Sequence, residues 1–208
     1  MKIFISDLHL GCGDSLEDFA LWEKAQPPQK TQEALIAAMA RMHTPFADFI
    51  INKIWQTDYA GGAPPELILL GDIFDLLQVL PAERFNPEKI HLIRKAHAPV
   101  FEALAEFHKK GGAVSYVLGN HDHDMLHPAM FETLKSYLPF LNERSGGAPM
   151  LFYHAPQAAL YAEHGNQFDV LNAFEDPAAL DVLPTGSELT LRLINPLEKN
   201  YPAIDNLD

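Results

Sequence analysis

Short apolar runs recur along the chain, and several of them stop abruptly at a polar turn. Lys2-Ile3-Phe4-Ile5-Ser6 leads into Asp7-Leu8-His9-Leu10-Gly11. Glu66-Leu67-Ile68-Leu69-Leu70 leads into Gly71-Asp72-Ile73-Phe74-Asp75, and Ala113-Val114-Ser115-Tyr116-Val117-Leu118 into Gly119-Asn120-His121-Asp122. Near-continuous apolar runs bounded by turn residues are the pattern of strands buried on both faces, so an α/β fold with a parallel sheet is predicted. In such a sheet the turns that follow the strands gather at one end, where chemistry collects.

Between these runs the spacing turns helical. Residues 31–55 carry Ala, Leu, Ile and Met at helical intervals, and 87–110 does the same after a proline start. The connection from the first run to the second, about 14–65, is longer than a crossover needs and reads as a helical insertion capping the site. Two strand-like runs, 149–154 and 159–164, flank a turn at Pro156 and predict an antiparallel hairpin. From Phe174 onward the chain is irregular and proline-punctuated, with one further element expected over 188–194.

Composition narrows the function. The 208 residues are 48% hydrophobic, enough for one large core, so 1–208 reads as a single domain. No apolar run reaches the roughly 20 residues of a membrane-spanning helix, and Met1 runs directly into a strand-like segment, so no membrane span and a cytoplasmic location are expected. The single cysteine, Cys12, excludes an internal disulfide and any multi-cysteine zinc site, and is expected as a small buried residue. A net charge of −13 disfavours nucleic acid as a partner, although a local basic groove would still admit a nuclease; the same acidic excess also gathers carboxylates able to hold cations.

The turns supply those carboxylates together with imidazole and amide oxygen. Asp7-x-His9, Gly71-Asp72-x-x-Asp75, Gly119-Asn120-His121-Asp122 and His164-Gly165 form a donor mix suited to divalent transition ions, not to calcium or thiolate-bound zinc. Each piece alone is weak, since Asn and Gly also serve turns that need positive φ. Their order, each after an apolar run, is the signal.

In that order the motifs resemble the calcineurin-like metallophosphoesterase superfamily, over residues 2 to about 169. The resemblance implies a four-layer α/β/β/α sandwich of the metallo-dependent phosphatase type. It implies that Asp7 and His9 bind one metal, that Asp72 bridges two, and that Asn120 and His164 bind the second. His121 falls at the catalytic histidine and Asp75 at the residue that orients it. Two divalent ions are expected, Mn first and Fe, Zn, Co or Ni as alternatives. They would share a carboxylate, activate a bridging hydroxide, and clamp the phosphoryl group of a small phosphate ester. The expected reaction is hydrolysis of a phosphomonoester, phosphodiester or pyrophosphate, with His121 serving the leaving oxygen.

The superfamily pattern closes with a later Gly-His-x-His, whereas His164 is the last histidine of this chain. Three readings of that difference stand: a carboxyl-terminally incomplete domain, a partner chain that supplies the histidines, or a variant that binds metal weakly. The first is the expected one, and the last corresponds to a catalytically impaired, metal-poor binding or scaffold protein that keeps the fold. His154 competes with His164 but lacks the following glycine, so it reads as a core or supporting residue. His123 and His127 are candidates to touch substrate phosphate, or else to cap a helix beginning near Pro128. His43, His91, His97 and His108 are expected on helix surfaces, and Trp22, Phe46, Phe49 and Trp55 in the core or lining an apolar pocket.

Overall fold

The structure, a computed structural model, describes residues 1–13, 41–56, 64–81 and 83–198. Trp22, most of the predicted insertion and the last residues of the chain lie outside the described residues. Strands β1 (Lys2–Ile5), β2 (Glu66–Leu70) and β3 (Ala113–Val117) form a parallel sheet in the order β1-β2-β3. Register pairs Lys2 with Glu66 and Glu66 with Ala113. The central strand is apolar throughout its middle because both of its faces are covered. Leu67 and Leu69 enter the main core, while Ile68 turns to a smaller cluster with Val117 and Tyr153.

Helices cover the first face. Residues 41–56 are helical, with a π-type turn at Phe49–Lys53, and place Ile50 and Ile54 in the main core. This element is α1. Helices α2 (Glu88–Ala96), α3 (Ala98–Lys109) and α4 (Pro128–Tyr137) add Ile90, Ile93, Phe101, Leu104, Phe107, Met130 and Leu134. The helix predicted over 87–110 is thus two. His97 leaves helical geometry (φ −112°, ψ 33°) and Pro99 sits in the first turn of α3. Proline lacks the N–H that a continuous helix would need and fits a first turn, where that N–H has no partner anyway.

The second face carries the predicted hairpin, β4 (Tyr153–Ala155) and β5 (Leu160–Ala162), paired antiparallel around a 3₁₀ turn at Pro156–Ala158. A main-chain bond from Leu118 N to Met150 O at 2.8 Å ties β3 to the segment that enters the hairpin. The described residues end in a helical stretch over Thr185–Leu189, Thr190–Ile194 and Asn195–Glu198, which contains the predicted 188–194 element. No helix among the described residues is long and apolar enough to cross a membrane.

His43 and His97 correct the surface expectation. Both are buried, with His43 Nε2 3.0 Å from His97 Nδ1, because each imidazole places a polar nitrogen against the other where α1 meets the break between α2 and α3. His91 stays exposed and His108 is half-buried, its ring stacked on Phe140. Phe46 and Trp55 are half-buried against the core, as is Cys12, while Phe49 is exposed.

Candidate metal centre

Beyond the last paired residues of β1 and β2, the two following loops continue to bond to each other. Asp7 N donates to Gly71 O at 3.1 Å, His9 N to Asp72 O at 3.0 Å, Leu10 N to Ile73 O at 2.9 Å, and Asp75 N to Leu10 O at 3.0 Å. This ladder holds Asp7, His9 and Asp72 at φ of 54°, 45° and 50°, a region that costs non-glycine residues of order 1–3 kcal/mol each. The cooperative loop pairing offsets that cost. Its effect is to turn successive polar side chains toward one place.

The third loop is fastened by a residue whose role the sequence did not reveal. Asp122, fully buried, accepts from Gly119 N at 2.6 Å within its own turn and from Ile73 N at 2.9 Å in the neighbouring loop. Burial, with the adjacent Asp72 charge, pushes its carboxyl up to about 6 despite those two donors. Asp72 Oδ1 in turn accepts from His121 N at 2.8 Å, so each loop's carboxylate is held by the other loop's backbone. Glycine at 119 is required here, since a Cβ would overlap Asp72 Oδ1 and approach Asp72 N and His164. Gly71 (φ +84°) is likewise pressed against the His164 ring.

The imidazoles meet these carboxylates from several elements. Asp75 accepts from two imidazoles and a backbone amide: His9 Nδ1 donates to its Oδ2 at 3.1 Å, and His121 Nδ1 and Gln78 N to its Oδ1 at 3.0 Å each, with the two rings edge-to-face at 4.6 Å. A carboxylate can only accept, so both Nδ1 atoms carry hydrogen and both Nε2 atoms are left for other partners. His164, just after β5, donates Nδ1–H to Leu70 O at 3.0 Å and brings Nε2 to 3.0 Å from Asp72 Oδ2 and 4.0 Å from Asp7 Oδ1. His9 Nε2 stands 3.9 Å from the same Asp72 oxygen.

Electrostatics follow from this pairing. Burial alone would raise Asp75, yet the two imidazoles hold it well below the usual carboxylate range; Asp72 is also lowered, chiefly by His164, against the effect of burial. Burial alone would lower the histidines. Asp75 overrides that for His121, raising it to about 9, and for His9, which is raised as well; Asp72 raises His164 to about 9.

Asp7, His9 and Asp72 place one oxygen or nitrogen each within 4.8 Å of one another, as do His9, Asp75 and His121. The second trio is already internally hydrogen-bonded through Nδ1, so the first is the better ion site. Its donor chemistry fits a divalent cation: Asp75 and the Leu70 carbonyl take the Nδ1–H of His9 and His164, the outer support that ligating imidazoles ordinarily have. Both Nε2 atoms then converge on Asp72, with the half-exposed Asp7 at the open side. Asn120 is buried in the same turn as His121. Of the sequence candidates, Asp7, His9, Asp72, Asp75, His121 and His164 are therefore assembled in one cluster.

The side chains of His123 and His127 have their partners outside that cluster. His123 Nε2 donates to Pro177 O at 2.8 Å and its ring stacks on Phe174; His127 precedes α4 without a side-chain capping bond and stacks on Phe85. His154 is exposed on β4. No protein-family model, curated protein or solved structure matches this chain.

Proposed function

We propose that this chain is a metal-dependent phosphoesterase of the calcineurin-like type, hydrolysing a phosphomonoester, phosphodiester or pyrophosphate with divalent ions, Mn foremost. The observation that carries the reading is the orientation of His9 and His164: each Nδ1–H is committed to a supporting acceptor and each Nε2 faces the shared carboxylate Asp72. A saturated structural ion pair has no need of that division of labour. In this reading Asp7, His9, Asp72, Asn120 and His164 hold the ions, and the parallel sheet with its hairpin forms part of a four-layer sandwich.

Bound divalent ions would supply Lewis-acid polarisation of the phosphoryl oxygens and an activated water. The chain's own residues supply orientation and a proton. Asp75 fixes the His121 ring through Nδ1 and keeps it an imidazolium at neutral pH, so Nε2–H can be given to the leaving oxygen. The second and third loops, locked to each other by Asp122 and Asp72, and the first loop, paired to the second through its backbone, hold these groups in place before substrate arrives, so little reorganisation is needed during reaction.

Assay of p-nitrophenyl phosphate and its bis-ester with added Mn tests the proposal. Metal-dependent turnover is expected, falling roughly 10²- to 10⁴-fold in His121→Ala; absence of metal-dependent turnover rejects it. A second reading, a metal-poor binding protein, is favoured by one observation: His164 Nε2 already has an ionic partner in Asp72 at 3.0 Å without any cation. Elemental analysis separates the two, since the second predicts metal content well below two equivalents and tight stoichiometric binding of two ions rejects it.

A further inference from the structure

A cavity of about 280 Å³ shares a wall with the carboxylate and imidazole cluster. Three separate segments contribute to both. Gly119 backs Asp72 and His164 and also lines the cavity; Glu163 lines it while His164 belongs to the cluster; His123 lines it two residues after His121. The cavity therefore adjoins the cluster across Gly119.

The lining defines what the cavity can hold. Leu118, Leu151, Phe152, Phe174 and Pro177 make the walls predominantly carbon, and the His123 ring lies on Phe174 with 3.8 Å between ring centres and 21° between planes. Burial lowers the His123 pKa, so that ring is an uncharged flat surface at neutral pH. Among the described residues no lysine or arginine lines the cavity, whereas Glu163 and Asp176 do. A second phosphate or a carboxylate would thus meet apolar walls and like charge, at a cost in desolvation and repulsion. The size is also informative, because a void of about 150 Å³ suffices for a benzene ring and this one is nearly twice that.

Resting on the phosphoesterase reading above, we propose that the cavity receives the organic group of the substrate, and that the substrate is the phosphate ester of a flat, uncharged, aryl-like group of up to two fused rings. Small polyol phosphates and esters bearing a further anionic group are the disfavoured alternatives. Burial of a ring system against Leu151, Phe152 and Phe174 supplies the discrimination.

Phosphonates remove leaving-group reactivity from the test. The Mn-loaded chain is titrated calorimetrically with 1-naphthylmethylphosphonate and with methylphosphonate, and both are run as inhibitors of p-nitrophenyl phosphate hydrolysis. The naphthyl compound is expected to bind at least about ten-fold more tightly. That ratio should fall toward one in Ala178→Trp, which fills the cavity from its rim, and fall also in Phe152→Ala, which removes one wall. Equal affinities, or a ratio that neither variant changes, overturn the cavity assignment while hydrolysis leaves the phosphoesterase reading intact. If neither phosphonate binds and no substrate turns over, both fall together.

Discussion

At the amino-terminal end of the sheet, Glu66 is met by the Lys2 ammonium at 2.5 Å, the Ser115 hydroxyl at 2.7 Å and the Tyr153 hydroxyl at 2.9 Å, with Arg144 at 3.7 Å. At the carboxyl-terminal end of the same strands, the ion-pair partners of Asp72 and Asp75 among the described residues are imidazoles. Both ends bury carboxylates and both pair them. They differ in what carries the positive charge: permanent cations at one end, and histidines whose charge is an exchangeable proton at the other. A proton on Nε2 can be traded for a metal ion, and an ammonium cannot. Burial of an acid is therefore not what marks a site. The kind of counter-charge is.

The largest expected break in this contrast is Asp72→Asn. Asp72 is the carboxylate on which His9 and His164 converge, so Mn affinity measured by calorimetry should fall by more than the roughly 10- to 100-fold that an outer supporting residue is worth. Glu66→Gln at the opposite end should leave Mn affinity unchanged. It should instead lower stability to denaturant by about 1–3 kcal/mol, because the part-buried Lys2 loses its charged partner. A shared effect of both variants on metal binding would erase the distinction between the ends.

Gly119→Ala comes next. Its Cβ would overlap Asp72 Oδ1 and press on Asp72 N, and overpacking of this kind costs about 1–3 kcal/mol. Urea titration should register that loss together with weaker Mn binding, since the displaced oxygen belongs to the cluster.

How far each end was readable in the sequence differs for the same physical reason. Strands β1, β2 and β3 lie within a residue of their predicted bounds because an apolar run stopped by Gly or Asp admits few other structures. Asp7, His9, Asp72 and His121 were legible because they stand directly after those runs. Several features were not. Which Asp75 oxygen serves which histidine, and that Asp75 supports His9 as well as His121, depends on how separate loops meet. The clamp by Asp122 crosses from one loop to another, and the Lys2–Glu66–Tyr153 group joins residues 64 and 87 positions apart. The buried His43–His97 pair looks like two polar positions on helices until α1 and the α2–α3 break are placed side by side. Local pattern specifies elements and their ends. It does not specify partners.

The smallest expected effect is on pH dependence. In the metal-free chain His164 and His121 titrate near 9, above their ordinary value, so their protonated pairing stabilises the fold fully below about 6.5 and is lost as pH rises through about 9. Metal binding has the opposite slope, because His164 must shed its Nε2 proton before that nitrogen can ligate. Calorimetry in buffers of different ionisation enthalpy should accordingly show proton release on Mn binding at pH 7, and apparent affinity rising toward pH 9. Uptake without proton release would place the ion away from His164.

The most direct measurement is electron spin echo spectroscopy of the Mn-loaded chain, which reads nitrogen nuclei bound to the ion. Coupling to imidazole nitrogen is expected, weakening in His9→Ala and in His164→Ala and persisting in Glu66→Gln. Bound Mn without nitrogen coupling, or with coupling that neither histidine variant alters, would contradict it.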